Sequence, residues 1–289
     1  MNVRAVPKHK LKEAASAPWA DPSRKAYVTG DTAYIPVRDG EEFDTVLPKR
    51  VPYTGRGYQK MGDTLLFHGK EPSAEELEAA DAFERPSCIL YSAGQEGVMR
   101  IPQIKVLKGT PHEVTFREAG ISYTLHPAKV MFSQGNRTEK LRLKNLITPG
   151  ESVADMFAGI GYFTLTAAAA GARVHAMEIN PESFSYLKRN IAANAFGTLV
   201  TAENGDCRDL LKGTYDRILM GHFDSPDFLP IALQHSTAGT TLHVHGLGDR
   251  EADIGAALVS AGFRFRITKH KVKKYAAHTM HCVWDVTLS

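Results

Sequence analysis

Three acidic residues and two glycines are spaced along the second half of the chain as in a site that binds a nucleoside. They are Asp155, Gly159, Gly161, Glu178 and Asp206. The glycines lie between an apolar run and a predicted helix, where residues without a Cβ let the backbone turn tightly and approach a ligand. A carboxylate at the end of the following strand can accept hydrogen bonds from both ribose hydroxyls. The spacing therefore predicts a nucleoside site at the ends of parallel strands.

The order of these residues favours S-adenosylmethionine over a nicotinamide cofactor. The turn lacks the third glycine of a dinucleotide fingerprint, and no second mononucleotide-binding half follows. Asp206 is expected to bind the exocyclic amine of adenine. Phe157 is expected to contact adenine or the sulfonium, although a place in the core is an equal alternative. For the glycines the alternative is a purely structural turn, and for Glu178 and Asp206 it is capping of a helix or turn.

The elements that must hold these residues follow from the hydrophobic pattern. From about residue 144 onward strands and helices alternate regularly, with helices over 183–195 and 228–235 and strands over 215–220, 240–245 and 282–288. This alternation predicts an α/β fold, with a Rossmann-type adenosylmethionine-binding catalytic domain over residues 144–289. Residues 1–143 carry short alternating segments broken by glycine and proline, which predicts a smaller α+β domain associated with substrate or RNA. Within it a helix over 73–83 is indicated, because Ser73 and Glu76 form a capping box.

Composition and termini indicate a globular enzyme. Of 289 residues, 43% are hydrophobic and 23% are charged, which suffices for a large core and two domains. No apolar run approaches the ~20 residues of a membrane helix, so we expect no membrane partner. Residues 1–10 lack the apolar core of a signal peptide, so we expect a cytoplasmic protein. Cys88, Cys207 and Cys282 lie far apart, which favours buried thiols over a disulfide framework or a zinc site.

The histidines do not form a recognisable metal site. His243 and His245 alternate along a predicted strand and His278 and His281 are three residues apart, but no carboxylate or cysteine completes a ligand set. We therefore expect ordinary strand and loop histidines and no metal. His222, directly after the fourth predicted strand of the sheet, is the histidine expected to contact a substrate.

The net charge of +3 permits an RNA partner without demonstrating one. Basic clusters occur at residues 8–12, at Lys49 and Arg50 before Arg56, and at residues 269–274. Each is compatible with phosphate contacts or with a solvated charged face. The last cluster precedes the strand predicted over 282–288, so we expect its cations on a rim loop or a neighbouring strand.

Two further runs resemble a known pair of RNA-modifying families. Residues 130–142 read Val-Met-Phe-Ser-Gln-Gly-Asn-Arg-Thr-Glu-Lys-Leu-Arg, and residues 216–221 read Asp-Arg-Ile-Leu-Met-Gly. With the glycine turn between them, they resemble the archaeal and eukaryotic enzymes that modify the purine at position 37 of tRNA. These are the guanine-N1 methyltransferases and the wybutosine-pathway aminocarboxypropyltransferases. The resemblance is firmest over residues 122–289, and residues 56–63 resemble the small preceding domain less specifically.

Two departures favour the aminocarboxypropyltransferases. The methyltransferases carry Ser-Pro-Arg where this chain has Ser133-Gln134-Gly135, and Asn-Leu-Pro where it has Gly221-His222-Phe223. The resemblance then implies transfer of the 3-amino-3-carboxypropyl group of S-adenosylmethionine to C7 of 4-demethylwyosine in tRNA for phenylalanine, with release of methylthioadenosine. The alternatives are a guanine-37 N1-methyltransferase and, from another class, a non-catalytic adenosyl-nucleoside and RNA-binding protein.

Residues just before the glycine turn are expected to hold the amino-acid end of the donor. Ser133, Arg137 and Lys140 can bind its carboxylate through charge-assisted hydrogen bonds. We expect Arg137 and His222 to act in catalysis, Arg137 by fixing the donor so that the correct carbon faces the acceptor. The alternative for Arg137 is a surface ion pair with a nearby glutamate. Glu151 corresponds by position to the general base of the methyltransferases, but a plain loop residue is the interpretation we favour.

Overall fold

The computed structural model describes residues 1–47, 53–133, 136–276 and 278–289. The chain forms two compact units, Met1–Thr54 and Gly55–Ser289. Four residues named above, Lys49, Arg50, Gln134 and Gly135, lie outside the described residues. The predicted boundary at residues 143 and 144 falls inside the second unit, and the separate roles assigned to the two sides of it stay a prediction.

The first unit contains a small antiparallel sheet with strand order β2-β3-β1-β4 and one short helix. Its elements are β1 (Asn2–Pro7), a 3-10 helix (Lys8–Lys10), α1 (Leu11–Ala15), β2 (Tyr27–Thr29), β3 (Thr32–Pro36) and β4 (Thr45–Val46). The buried core is correspondingly small and consists of Ala14, Ala20, Ala33 and Ile35. The basic residues of cluster 8–12 lie exposed on the two consecutive short helices.

The second unit begins with a four-stranded sheet and a separate hairpin. The sheet has the order β5-β6-β7-β8, with β6 and β7 parallel. The elements are β5 (Gln59–Met61), β6 (Thr64–His68), α2 (Ala74–Glu84), β7 (Cys88–Glu96), β8 (Ile101–Lys108), β9 (Val114–Glu118) and β10 (Ile121–Leu125). The capping box predicted for α2 is confirmed: Glu76 N donates to Ser73 Oγ at 3.2 Å, and Ser73 N donates to Glu76 Oε2 at 2.9 Å.

A seven-stranded sheet forms the rest of the second unit. Its order is β13-β12-β11-β14-β15-β17-β16; the first five strands in this order are parallel, and β17 is antiparallel to both of its neighbours. The elements are α3 (Arg137–Leu146), β11 (Ser152–Asp155), α4 (Thr164–Ala169), β12 (Arg173–Glu178), α5 (Pro181–Ala193), β13 (Val200–Asn204), α6 (Cys207–Leu210), β14 (Arg217–Met220), a 3-10 helix (Ser225–Phe228), α7 (Leu229–Gln234), β15 (Thr241–Leu247), α8 (Glu251–Ser260), β16 (Phe265–Ala276) and β17 (Thr279–Leu288). The predicted Rossmann-type α/β fold is confirmed, and the cluster 269–274 lies on the edge strand β16.

Each face of the large sheet is covered by its own hydrophobic core. One core joins β11 and β12 to α4 and α5 and also includes apolar residues of β6, β7, β9 and β10. The other core joins β14, β15 and β17 to α7 and α8 around the fully buried Trp284. Residues 55–133 therefore share a core with the large sheet, and this shared core fixes the hairpin between β7 and β8 relative to the strand ends.

The local sequence explains why α5 begins where it does. Asn180 caps the helix by accepting hydrogen bonds from Glu182 N at 2.9 Å and Ser183 N at 3.4 Å, and Pro181 occupies the first turn, where no backbone donor is needed. This cap fixes the chain directly after Glu178. Among the described residues, no helix is long and apolar enough to cross a membrane. All three cysteines are buried free thiols, as predicted.

Candidate functional site

A cavity of about 460 Å³ opens at the carboxyl ends of β11, β12, β13 and β14. The strand order reverses at β11, and such a reversal leaves a crevice in which doubly wound proteins bind ligands. Three other segments complete its wall: the tip of the β7–β8 hairpin, the residues before α3, and the loop after β14 with the end of the 3-10 helix that follows it. The lining residues discussed below are Arg100, Ser133, Asn136, Phe157, Gly159, Tyr162, Glu178, Asp206, Gly221, His222, Phe223 and Phe228.

The glycine turn after β11 has no room for side chains. Gly159 has φ of +59°, and a Cβ there would lie 2.3 Å from the ring of Tyr162. Gly161 has φ of +107°, and a Cβ there would lie 2.8 Å from Leu165 Cγ. Gly159 lines the cavity, whereas Gly161 is not among the described residues that line it. The two glycines thus let the backbone pass between the cavity and the packed start of α4.

Asp155 holds the turn in place from below. Its carboxylate is fully buried, accepts a hydrogen bond from Thr164 Oγ1 at 2.7 Å, and lies 3.4 Å from the donor Phe157 N. Burial raises its pKa to about 6, although these hydrogen bonds oppose the shift. Asp155 is not among the described residues that line the cavity. Its expected contact with the ligand therefore stays a prediction, and the geometry gives it the role of positioning the turn.

Glu178 lies at the end of β12 with both carboxylate oxygens already oriented. Gly159 N donates to Oε2 at 2.7 Å, and Asn180 N donates to Oε1 at 2.8 Å. Each oxygen keeps a lone pair for a further donor, which suits a pair of vicinal hydroxyls. Burial raises the pKa of Glu178, while the two backbone donors and Arg100 oppose the shift. The cavity thus contains one rigid acceptor where a ribose is expected.

Asp206 follows β13 and Phe157 follows β11, and both line the cavity. Asp206 caps α6, accepts from Arg208 N at 2.9 Å, and forms an ion pair with Arg208 Nη2 at 2.5 Å. The hydrogen bonds from Arg208 lower the pKa of Asp206, so it is a carboxylate at neutral pH. Phe157 packs edge-on against Phe228, with ring centroids 5.1 Å apart. This aromatic wall beside a carboxylate fits a flat base that carries an amino group.

His222 stands at the end of β14 beside the same aromatic wall. Its ring lies 5.3 Å from that of Phe157, and Asp224 N donates to its Nδ1 at 3.2 Å. Burial and the nearby charge of Arg100 lower the pKa of His222, although Asp224 opposes the shift. The ring is therefore neutral at pH 7 with its proton assigned to Nε2. In this state His222 can donate a hydrogen bond to a substrate oxygen.

The three residues expected to hold the donor's carboxylate occupy different environments. Ser133 lines the cavity, whereas Arg137 is exposed and is not among the described lining residues. Lys140 is buried, with Nζ 2.6 Å from Glu118 Oε1 and 5.2 Å from the ring centroid of Phe132. Burial lowers the pKa of Lys140, and Glu118 opposes this shift. The roles of Arg137 and Lys140 in binding the donor stay predictions, without support from the cavity geometry.

Two lining residues were not assigned a role from the sequence. Arg100 is the last residue of the hairpin tip between β7 and β8, more than 50 residues before the glycine turn. Asn136 is the residue before α3; it belongs to the run used for the family resemblance but had no chemical role in it. The only local signal for Arg100 was a glycine three positions earlier, between two alternating segments.

Glu151 and two strand histidines contact other polar side chains of the large sheet. Glu151 pairs with Arg217, whose Nε lies 2.7 Å from Glu151 Oε2, and it is not among the described residues that line the cavity. His243 contacts Asp285 at 2.7 Å, and His245 contacts His281 at 2.9 Å. These observations support the structural interpretation of Glu151 and of the strand histidines.

The fold and the site together define a Rossmann-type protein with a nucleoside-sized cavity at its topological switch point. The sequence profile of the TRM5/TYW2 methyltransferase domain matches residues 114–273. The tRNA(Phe) (4-demethylwyosine(37)-C(7)) aminocarboxypropyltransferase of Methanocaldococcus jannaschii is 37% identical over 175 residues, covering 58% of this chain and 68% of the relative. The protein of the same name from Pyrococcus horikoshii is 32% identical over 265 residues, covering 85% of this chain and 91% of the relative.

A solved structure agrees with these sequence matches. The crystal structure of P. horikoshii TYW2 in complex with MeSAdo aligns with a TM-score of 0.70 and 28% identity, covering 82% of this chain and 92% of that one. The chain belongs to the TRM5/TYW2 methyltransferase-domain family, and the resemblance stated from the sequence is confirmed.

Proposed function

We propose that this protein transfers the 3-amino-3-carboxypropyl group of S-adenosylmethionine to C7 of 4-demethylwyosine at position 37 of tRNA(Phe), releasing methylthioadenosine. The observation that carries the proposal is the end of β14. There Gly221, His222 and Phe223 line the cavity. The guanine-N1 methyltransferases, which this chain resembles, carry Asn-Leu-Pro at this position. Relatives with 32–37% identity bear the name of this activity.

The residues of the cavity fit an adenosyl donor. Glu178 supplies a rigid acceptor for the ribose hydroxyls, and Asp206 supplies an acceptor for the adenine amine beside the Phe157–Phe228 wall. When bound, S-adenosylmethionine supplies a sulfonium with three carbon substituents, and the carbon in line with the acceptor is transferred. The protein's task is therefore to orient the donor, and both ends of the adenosine have a fixed partner.

The wall at β14 provides little assistance for deprotonating an acceptor. Gly221 packs against Phe163, where a Cβ would lie 2.9 Å from the ring, so no side chain can project from this position. His222 is neutral, and because its Nδ1 accepts from Asp224 N, its proton is on Nε2. A tricyclic base with an electron-rich C7 needs less base assistance than guanine N1, which must lose its proton before it can react. A hydrogen bond from His222 to a base oxygen would orient such an acceptor without removing its proton.

Transfer to C7 forms one carbon–carbon bond and breaks one carbon–sulfur bond. The electron pair of the broken bond stays on sulfur, which leaves as a neutral thioether, and the acceptor carbon loses its proton to solvent. A tRNA substrate fits the enzyme family, and we propose that the phosphate backbone binds at the lysines of β16, of which Lys271 and Lys274 are exposed and Lys273 is half-buried. We further propose that the protein acts in the cytoplasm, where mature tRNA is abundant.

The test of this function is the identity of the by-product. The protein is incubated with S-adenosylmethionine and tRNA that carries 4-demethylwyosine, and the adenosyl products are separated by chromatography. Methylthioadenosine, with a nucleoside heavier by one aminocarboxypropyl group, is the expected result. Release of S-adenosylhomocysteine would support the methyltransferase alternative. No turnover of the donor with any tRNA would support the non-catalytic alternative.

A further inference from the structure

Arg100 is a half-buried cation with no ion-pair partner among the described residues. Its Nε donates to Gln95 Oε1 at 2.8 Å, and within the described residues its two terminal nitrogens have neither a hydrogen-bond partner nor a salt bridge. The guanidinium lies 5.4 Å from the ring centroid of Phe223, and both residues line the cavity. A cation that is partly removed from water at a cavity wall is stabilised when an anion pairs with it.

The backbone at Arg100 is also unusual. Its φ is +51°, a left-handed conformation that is costly for a residue with a side chain and is normally left to glycine or asparagine. Arg100 N closes the turn by donating to Gly97 O at 3.0 Å, and Asn180 Nδ2 donates to Met99 O at 3.0 Å. The hairpin tip is thus anchored directly beside Glu178. Strained residues that persist in an anchored turn often serve binding or catalysis.

Asn136 offers a hydrogen-bond acceptor to the cavity, whereas Arg100 offers donors. It is 8% exposed, it lines the cavity, and its Oδ1 has no hydrogen-bond partner within the described residues. It precedes α3 without capping it, since its side chain accepts no hydrogen bond from the helix. Buried amide oxygens in folded proteins are nearly always bonded. A donor on a bound ligand can therefore bond this oxygen.

The two sites are linked through Tyr162. Its hydroxyl donates to Met131 O in the segment that leads to Ser133, and its ring is close enough to Arg100 for the guanidinium to oppose the rise of the tyrosine pKa. Arg100, Tyr162 and Asn136 all line the same cavity. A ligand that carries one carboxylate and one ammonium on the same carbon would satisfy both.

We propose that Arg100 and Asn136 bind the amino-acid end of the donor, with the guanidinium paired to the α-carboxylate and the Asn136 carbonyl oxygen accepting from the α-ammonium. This inference rests on the proposed function only for the identity of the donor. It assigns the α-carboxylate to the hairpin tip between β7 and β8, far away in sequence, and the α-ammonium to the residue before α3, rather than assigning the carboxylate to Arg137 and Lys140. Holding both charged groups fixes the rotation of the tail, and so fixes which carbon of the sulfonium faces the acceptor.

The test measures binding rather than turnover. Wild-type protein, Arg100→Gly and Asn136→Ala are titrated by calorimetry with S-adenosylmethionine, with decarboxylated S-adenosylmethionine, and with methylthioadenosine, which has no tail. Wild type should prefer the intact donor over its decarboxylated form by roughly 10- to 100-fold, as expected for a charge-assisted pair. In Arg100→Gly this ratio should fall to about 1, with methylthioadenosine bound as in wild type.

Asn136→Ala should behave differently, because it removes the proposed partner of the ammonium group. Both S-adenosylmethionine and decarboxylated S-adenosylmethionine retain that group. Their affinities should fall together by roughly 5- to 10-fold, with the ratio between them preserved and methylthioadenosine unaffected. Glycine relieves the left-handed strain at position 100, so the melting temperature of Arg100→Gly should equal or exceed that of wild type. Arg117→Ala, an exposed arginine on β9, is the matched control and should change none of these values.

The outcomes separate this inference from the proposed function. If Arg100→Gly keeps the preference for the intact donor, or if Arg137→Ala abolishes that preference instead, the assignment of Arg100 is wrong. If Asn136→Ala weakens methylthioadenosine as much as the tailed ligands, its role is structural. If wild type binds none of the three adenosyl compounds, the donor itself is misidentified and the proposed function fails first.

Discussion

Replacement of Glu178 by alanine should weaken every adenosyl ligand while leaving the fold intact. The carboxylate accepts Gly159 N at 2.7 Å and Asn180 N at 2.8 Å, and its free lone pairs are directed to the ribose hydroxyls. Loss of a charged acceptor for those hydroxyls is worth about 1.5 to 3 kcal/mol, which is roughly a 10- to 150-fold rise in Kd. S-adenosylmethionine and methylthioadenosine should be affected alike, because both carry the ribose.

Alanine is a sharper probe here than glutamine. Glutamine would place an NH₂ group against one of the two backbone donors, whereas alanine lets water reach both, since Glu178 is partly exposed. Glu182→Ala is the matched control, because that side chain is 45% exposed and pairs with Lys129. Burial raises the pKa of Glu178 above 4.5, so wild-type affinity should fall on acidification before pH 4.5 is reached, and the alanine variant should lack this fall. Calorimetric Kd values equal to wild type would refute the assignment of Glu178 to the ribose.

Three further predictions concern the turn and the RNA. Burial raises the pKa of Asp155 from 3.8 to about 6, so folding takes up a proton between these values. The wild-type free energy of unfolding in urea should therefore fall by about 3 kcal/mol between about pH 4 and pH 7, and Asp155→Asn should lack this fall; parallel pH curves for the two proteins would contradict it. Gly159→Ala should abolish adenosine binding and lower the melting temperature, whereas Gly213→Ala, at φ +63° with no atom within 4 Å of the new Cβ, should show only the backbone cost. Binding of tRNA should weaken as salt rises. Replacing the β16 lysines by glutamine should make the slope of log K against log salt shallower by about 0.9 for each phosphate that they neutralise, and an unchanged slope would place the RNA elsewhere. These lysines are Lys271, Lys273 and Lys274.

The parts of the site that are local in sequence could be predicted from it. The glycine turn, Glu178 and Asp206 each follow a strand, and parallel strands bring their carboxyl ends to one edge, so their order along the chain was enough to group them. The capping box of α2 and the helix start at Pro181 are likewise local. The Rossmann-type fold followed from the alternation of strands and helices, and the family followed from the runs 130–142 and 216–221 beside the glycine turn; both are confirmed.

The parts that depend on distant packing could not be predicted. Lys140 belongs to a basic run that suits an anionic ligand, but Glu118 on β9 takes its ammonium, and no motif announces that pairing. Arg100 reaches the cavity only because the four-stranded sheet shares a core with the large sheet. Asp155 matched the motif, yet its burial makes it a support for the turn rather than part of the cavity lining. In each case the side chain's partner is set by tertiary structure that spacing along the chain does not encode.

The most direct measurement of the central claim follows two labels at once. The protein is given tRNA with either 4-demethylwyosine or unmodified guanosine at position 37, and donor labelled in either the methyl or the carboxyl carbon. We predict that carboxyl label enters the tricyclic tRNA and that methyl label leaves as methylthioadenosine. Methyl label in the guanosine-bearing tRNA, with release of S-adenosylhomocysteine, would contradict this prediction and identify a guanine-37 methyltransferase.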